Sequence, residues 1–93
     1  MYITITGLDH YMGTEALRPG DKLYLIKDTK NAYDDEAIKV IGDNDTTYGY
    51  VANSVDTVAR GTHSAGYIYN SINDNQKCKV AFILDERVIA ELV

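Results

Sequence analysis

The sequence between residues 22 and 51 reads KLYLIKDTKNAYDDEAIKVIGDNDTTYGYV and decides the fold. Apolar and β-branched runs at 22–27, 37–41 and 48–51 predict three strands. The Gly-Asp-Asn-Asp cluster at 42–45 is a strong turn signal between the last two runs. The three strands are therefore expected to form an antiparallel meander, with the loop 28–35 at one end and the turn 42–45 at the other.

Three further strands are predicted outside this meander. Residues 2–7 place Ile3 and Ile5 on one face and polar or aromatic side chains on the other, which is the period of a half-buried strand. Residues 78–84 and 88–93 are apolar runs separated by a tight turn. Together with the meander, they indicate a barrel of about six short strands.

Two short helices are also predicted. Ser54 can cap a helix over residues 55–60. Residues 64–72 suit either a strand or a helix, and we interpret them as a helix because apolar side chains recur at helical spacing. That stripe consists of Ala65, Ile68, Tyr69 and Ile72. The predicted fold class is thus mainly β, a small OB-like or SH3-like β-barrel with one or two short helices.

Length and composition limit the class of protein. With 93 residues, of which 45% are hydrophobic and 25% charged, the chain fits one globular domain over residues 1–93. It contains no run of about 18 apolar residues and no secretory signal, so we expect a cytoplasmic protein without a membrane partner. One cysteine and two histidines exclude an intrachain disulfide and a closed structural zinc site, and no cofactor is predicted.

The loop 28–35 carries the candidate binding residues. Asn31, Tyr33 and Asp34 place an aromatic ring between an amide and a carboxylate. The ring can stack on any base, and the carboxylate can accept a hydrogen bond from a terminal hydroxyl while repelling a terminal phosphate. The alternative is that Asn31 and Asp34 cap their own loop and that Tyr33 packs over the edge of the barrel.

The charges around this loop allow two further interpretations. Lys27 and Lys30 flank the loop, where they either contact phosphates or are simply solvated. The net charge of −5 argues against non-specific binding of long nucleic acid, because that binding needs Lys and Arg to neutralise phosphates. Asp34, Asp35 and Glu36 offer oxygen ligands for a divalent cation. No second acidic cluster completes such a site, so no metal is expected.

Motifs along the chain resemble those of the HIRAN domain family. The resemblance covers about residues 3–84, and its most specific part is the Asn, Tyr, Asp, Ala, Ile spacing followed by Gly-Tyr-Val. Residues 49–70 are similar to small stand-alone bacterial members. The matching positions are Gly7, Leu8, His10, Tyr11, Gly13, Gly20, Asp21, Asn31, Tyr33, Asp34, Ala37, Ile38, Gly49, Tyr50 and Val51.

The resemblance implies a modified OB-like barrel that holds the 3′ end of single-stranded DNA, as in the version fused to fork-remodelling helicases. It implies that Tyr33 stacks on the terminal base and that Asp34 accepts a hydrogen bond from the 3′-hydroxyl. By the same carry-over, Asn31 is a polar contact of that loop, Tyr11 is an aromatic of the first loop, and Tyr50 faces the DNA backbone.

Two positions depart from the helicase version. Asp9 stands in place of an arginine near the DNA, which replaces an attraction for phosphate with a repulsion. His10 stands in place of the tyrosine on the other side of the base, and an imidazole can still stack there.

The residues and the resemblance leave three hypotheses of function. The first is a non-catalytic module that binds a single-stranded DNA 3′ end, with His10 and Tyr33 holding the base and Asp34 reading the hydroxyl. It would protect or mark the end, or deliver a DNA-processing enzyme acting in trans. The second is a protein-interaction module on the same barrel without DNA affinity. The third is a metal-dependent nuclease at the acidic loop.

Overall fold

The computed structural model describes residues 1–93 and forms a closed barrel of antiparallel strands. The strands are β1 (Tyr2–Thr6), β2 (Lys22–Lys27), β3 (Ile38–Ile41), β4 (Thr47–Val51), β5 (Gln76–Ile83) and β6 (Val88–Leu92). Their order around the barrel is β1-β4-β3-β2-β5-β6, and β6 pairs with β1 to close it. The predicted mainly β barrel and the meander of β2, β3 and β4 are therefore confirmed.

Alternation along the strands decides which side chains fill the barrel. In β3, Ile38 and Val40 are fully buried, as the sequence predicts, while Lys39 between them lies on the outer face. Burying one such aliphatic side chain contributes about 1.5–3 kcal/mol relative to leaving it exposed. The strands supply to the core Ile3, Ile5, Leu23, Leu25, Ile38, Val40, Val51, Cys78, Val80, Val88 and Ala90.

One short helix adds its apolar stripe to this core. Helix α1 (Ala65–Ile68) continues into a 3-10 turn (Tyr69–Ser71). Ser64 caps the helix, since its Oγ accepts a hydrogen bond from the backbone N–H of Tyr67 at 3.2 Å. The stripe residues in the core are Ala65, Ile68 and Ile72. The helical interpretation of this segment is confirmed. No helix of the structure has the length and apolarity needed to cross a membrane.

The helix predicted at 55–60 is not formed, so that prediction is wrong. The chain makes a single turn, in which the N–H groups of Thr57 and the next residue both donate to the carbonyl oxygen of Ser54 at 3.0 Å. The N–H of Ala59 donates to the Oγ1 of Thr4 in β1, also at 3.0 Å. A continuing helix would send that N–H to the carbonyl four residues earlier. The long-range bond to Thr4 therefore ends the turn.

The hydrogen bond from Ala59 lies on the outer face of β1, where Thr4 is buried. Thr4 lies on the face that the sequence pattern marks as polar, yet it is fully buried. Its Oγ1 lies 2.7 Å from the Oγ1 of Thr62 as well as accepting from Ala59. Both hydroxyls are thereby satisfied without water, as a buried polar group requires. The segment 57–62 is held against the barrel through these bonds.

The seam between β1 and β4 is short and close. Its registered pairs are Ile5 with Val51 and Thr6 with Tyr50. Just before them lies Gly49, whose position has no room for a side chain. A Cβ there would collide with the carbonyl oxygen of Thr6 and lie 3.2 Å from Cγ2 of Ile5. Glycine is therefore what allows the two backbones to approach at this point.

The single cysteine is a core residue. Cys78 is fully buried in β5, and burial raises the pKa of its thiol to about 12. A thiol that stays protonated at neutral pH is a poor nucleophile and a poor metal ligand. Cys78 therefore contributes packing to the barrel.

Candidate nucleic-acid interface

The loop between β2 and β3 is held in shape by its own side chains. The Oδ1 of Asn31 accepts hydrogen bonds from the backbone N–H groups of Tyr33 at 2.8 Å and Asp34 at 3.0 Å. The Oδ1 of Asp34 accepts another from the N–H of Glu36 at 2.8 Å. Consecutive turns of this kind fix a backbone that lacks strand or helix bonds. The capping roles that the sequence allowed for Asn31 and Asp34 are present.

Tyr33 does not pack over the edge of the barrel, so this part of the alternative interpretation is wrong. Its side chain is 99% exposed, although the loop backbone on which it stands is fixed by Asn31. Tyrosine is intermediate in burial among the residue types, so a side chain left almost wholly exposed is unusual. A fully exposed ring on an ordered loop can take a flat ligand with little further loss of backbone freedom.

The carboxylate beside this ring is tied to a second segment by Asn53, which follows β4. The Nδ2 of Asn53 donates to Asp34 Oδ2 at 3.1 Å and to Glu36 Oε1 at 3.3 Å. The Oδ1 of Asn53 accepts from the N–H of Gly66 in α1 at 2.8 Å. One amide thus joins the loop to α1. Each oxygen of Asp34 accepts one protein hydrogen bond and keeps a lone pair for a ligand hydroxyl.

A second group of contacts joins the loop to β4 and to the first loop of the chain. The hydroxyl of Tyr50 donates to Asp28 Oδ2 at 2.7 Å, and Asn31 Nδ2 donates to the same oxygen at 3.4 Å. The ring of Tyr11 lies 6.4 Å from that of Tyr50, tilted by 40°. Since Asn31 also holds the backbone of Tyr33, these contacts link Tyr11 to the backbone that carries the exposed ring.

The hydrogen bond between Tyr50 and Asp28 shifts the pKa values of both residues. The hydroxyl of Tyr50 lowers the pKa of the Asp28 carboxyl, helped by Asn31 and the charge of Lys39 and opposed by partial burial. Burial, and then the hydrogen bond and charge of Asp28, raise the pKa of Tyr50. At neutral pH the pair therefore consists of a charged carboxylate and a protonated phenol.

Because the pKa of Asp28 is lowered, we expect the protein to lose stability in acid. The carboxyl of Asp28 has a lower pKa in the folded than in the unfolded chain. Its stabilising effect is therefore present above the ordinary Asp value of about 3.9 and is lost as the pH falls through the lowered value. Because the group is only partly buried, we expect a contribution below about 1 kcal/mol.

Urea unfolding of the wild type and of Asp28→Asn across the acid range measures this contribution. We expect the wild type to be more stable at neutral pH and the difference to disappear once Asp28 is protonated. A difference that stays constant down to the lowest pH would contradict the assignment.

The other predicted residues lie apart from these contacts. His10 is exposed in the first loop, and no hydrogen bond or ring contact joins its side chain to Tyr33. The Nζ of Lys27 lies 4.8 Å from the centroid of the Tyr69 ring, in cation–π contact. Lys30 is exposed within the loop. The predicted residues that contacts bring together are Tyr11, Asn31, Tyr33, Asp34 and Tyr50.

Three residues of the site were not predicted as such: Asp28, Lys39 and Asn53. Lys39 is paired with Tyr50 across β3 and β4, and its charge helps to lower the pKa of Asp28. The period of two along β3 places Lys39 on the outer face, and the strand register then brings it to Tyr50. The sequence indicates the role of Asn53 less clearly than that of Lys39, because its partner Asp34 is 19 residues away in sequence.

Two acidic residues of the loop are hydrogen-bonded to the side-chain amide of Asn53. No group of three His, Cys, Asp or Glu side chains converges in a way that could hold an ion. Asp34 and Glu36 instead share the side-chain amide of Asn53, and Asp35 is exposed. Two of the three carboxylates that the nuclease hypothesis names are therefore hydrogen-bonded to one amide.

The barrel and its loops define a class of protein, a small closed β-barrel that presents an exposed aromatic ring beside hydrogen-bonded carboxylates. The family model of the HIRAN domain matches residues 1–86, and the chain belongs to the HIRAN domain family. The resemblance found in the sequence is confirmed. HIRAN domains are known as DNA-binding modules and are generally non-catalytic, so membership supports a nucleic-acid-binding role.

Two solved structures share the fold. The HIRAN domain of human HLTF aligns with 97% of this chain and 69% of its own, at 22% identity and a TM-score of 0.67. A protein from Lactobacillus plantarum aligns with 96% of this chain and 87% of its own, at 18% identity and a TM-score of 0.62. At these identities the likeness concerns the fold. A comparison with curated protein sequences gives no significant match.

Proposed function

We propose that this protein binds the 3′ end of single-stranded DNA and distinguishes a free 3′-hydroxyl from a 3′-phosphate. In this proposal Tyr33 stacks on the terminal base, Asp34 accepts a hydrogen bond from the hydroxyl, and Tyr50 faces the adjoining backbone. Tyr11 is the aromatic residue of the first loop, beside Tyr50. Asn31 holds the loop. His10 supports the base from the first loop, and Lys27 and Lys30 supply phosphate contacts at the rim of the site.

The observation that carries this proposal is the exposure of Tyr33. Its ring is 99% exposed on a loop whose backbone Asn31 fixes. Such a ring contributes nothing to the core, whereas stacking of one base on an aromatic ring is worth about 1–3 kcal/mol. Stacking does not depend on base identity, which suits a module that recognises an end and not a sequence.

Asp34 gives the site its chemical selectivity. Its backbone neighbour carries the exposed ring, and its carboxylate is oriented by Glu36 and Asn53. A carboxylate accepts from a hydroxyl and repels a phosphate of like charge, so the same group favours one end and disfavours the other. Because the carboxylate is already held in place, little rotational freedom is lost when the hydroxyl binds.

The proposed role is non-catalytic. The barrel would protect or mark a DNA end in the cytoplasm, or deliver to it a DNA-processing enzyme acting in trans. Family membership favours binding over hydrolysis.

Fluorescence anisotropy tests the proposal with two short single strands that differ only in a 3′-hydroxyl or a 3′-phosphate. We expect the hydroxyl strand to bind about ten-fold more tightly, since one charge-assisted hydrogen bond is gained and one repulsion avoided. Asp34→Asn keeps the shape and removes the charge, so it should lower the discrimination more than the affinity. Equal binding of both strands by the wild type would contradict the role of Asp34.

A second candidate is the protein-interaction module, which one surface favours. A cleft of about 380 Å³ lies beside Tyr11, and its charged lining is wholly acidic: Asp9, Glu15, Asp85 and Glu86. This surface repels phosphates and complements a basic peptide. Absence of binding to either DNA strand, together with co-purification of one defined partner, would favour this candidate.

A further inference from the structure

A second concave surface lies next to the proposed DNA-end site. It is a cleft of about 500 Å³ between the turn after β4 and helix α1. That volume falls within the range of pockets that hold small ligands. The cleft is lined by Asn53, Ser54, Val55, Val58, Ala59, Arg60, Gly61, Thr62, His63, Ser64 and Tyr67.

One wall of the cleft is a pair of stacked rings. The imidazole of His63 and the ring of Tyr67 lie 4.4 Å apart, with an interplanar angle of 17°. The backbone of His63 is fixed to the barrel, because its backbone N–H donates to the carbonyl oxygen of Tyr2 at 2.8 Å. Tyr67 is nevertheless 64% exposed. The pair is therefore an ordered aromatic platform with surface left for another flat group.

The charge of the cleft is opposite to that of the whole chain. Arg60 is the one formally charged residue in its lining, in a protein whose net charge is −5. The cleft beside Tyr11, by contrast, is lined by acidic residues. A guanidinium binds a phosphate with paired, charge-assisted hydrogen bonds. The lining of this cleft suits an anion with an aromatic part.

Asn53 connects this cleft to the proposed DNA-end site. It lines the cleft, and its Nδ2 donates to Asp34 Oδ2 at 3.1 Å. The same side chain accepts from Gly66, the residue before Tyr67. A ligand that contacts Asp34 at one end therefore needs to extend past only one side chain to enter the cleft.

We propose that the cleft holds a nucleotide on the 5′ side of the terminal one, in the same DNA strand. Its base stacks on Tyr67, which His63 supports, and Arg60 binds its phosphate. This inference rests on the proposed function, and it adds an inner subsite to the end-binding loop. The site then contacts the strand at two bases, so strand length and not only the chemistry of the end determines affinity.

A double-mutant cycle, which combines one change in the protein with one change in the DNA, tests the stacking. A hexanucleotide with a 3′-hydroxyl is compared with versions that carry one abasic position, moved stepwise from the 3′ end. In the wild type, we expect an abasic change at one inner position to weaken binding about ten-fold. In Tyr67→Ala, the same change should have little further effect, because its stacking partner is already gone.

The salt dependence of binding tests Arg60. Arg60→Gln should lower the slope of log affinity against log salt by about 0.7, the value for one phosphate contact on a single strand. Lys79→Gln is the matched control, since Lys79 is exposed on β5 outside both sites, and it should leave the slope unchanged. Both Arg60→Gln and Tyr67→Ala should keep the preference for the 3′-hydroxyl.

The outcomes separate this inference from the proposed function. If the wild type prefers the 3′-hydroxyl but no inner abasic position couples to Tyr67, the subsite is wrong while the end-binding loop stands. If Arg60→Gln and Lys79→Gln change the slope equally, the phosphate contact is wrong. If the wild type binds no strand, both the proposed function and the subsite are overturned.

Discussion

Replacing Tyr33 with alanine is expected to weaken binding of a 3′-hydroxyl single strand by about ten-fold or more, while the melting temperature stays unchanged. The loss follows from one stacked base, worth about 1–3 kcal/mol. The unchanged stability follows from the exposure of the ring, which is 99% and leaves no cavity when the side chain is removed. Anisotropy titration and thermal unfolding of the same preparation measure both effects.

Two variants serve as controls for this result. Phe82→Ala removes an exposed aromatic ring on β5, away from the loop, and should leave DNA affinity unchanged. Tyr33→Trp keeps a ring and should keep the affinity. Because the chain has no tryptophan, that indole would also report stacking through its fluorescence. If Tyr33→Ala and Phe82→Ala bind DNA as the wild type does, the proposed end-binding mode fails.

Gly49→Ala is expected to lower the free energy of unfolding by about 3 kcal/mol, at the upper end of what overpacking costs. The added methyl group would meet the backbone carbonyl oxygen of Thr6 and the side chain of Ile5. A backbone oxygen in a strand cannot move aside as a side chain does, so β4 must shift away from β1. For a domain of this size, thermal unfolding should show a fall of more than about 10 °C.

Gly66→Ala is the matched control for this substitution. Its added methyl group would lie 2.6 Å from Glu36 Oε1, the end of a flexible side chain that can turn away. Alanine also favours the helix in which position 66 lies, by up to about 1 kcal/mol over glycine. We expect Gly66→Ala to be close to neutral in stability. If the two variants unfold alike, the close seam at Gly49 does not limit the barrel.

Gly49→Ala should also affect the proposed binding site. Gly49 precedes Tyr50, whose hydroxyl donates to Asp28 at 2.7 Å. A shift of β4 would lengthen that bond, and Asn31, which shares the same oxygen of Asp28, would lose part of its support. The DNA affinity of Gly49→Ala should therefore fall together with its stability, whereas that of Tyr33→Ala falls alone.

Much of the barrel follows from local patterns in the sequence. The period of two in β3 identifies Ile38 and Val40 as core residues, and helical spacing identifies Ala65 and Ile68. Such periods are set by the geometry of one strand or one helix, so they can be read without knowing the neighbours. The loop carrying Tyr33 was found for the same reason, as a polar insertion between two apolar runs.

The sequence by itself determined the strands, the stripe of α1, the family and the exposed loop. Only the tertiary structure decided where partners distant in sequence meet. Thr4 accepts a hydrogen bond from the N–H of Ala59 across 55 residues, in a segment where local signals predicted a helix. Asn53 orients Asp34 across 19 residues. A polar group forms hydrogen bonds with the partners that lie near it in the closed barrel. The spacing of residues along one strand or helix does not specify those partners.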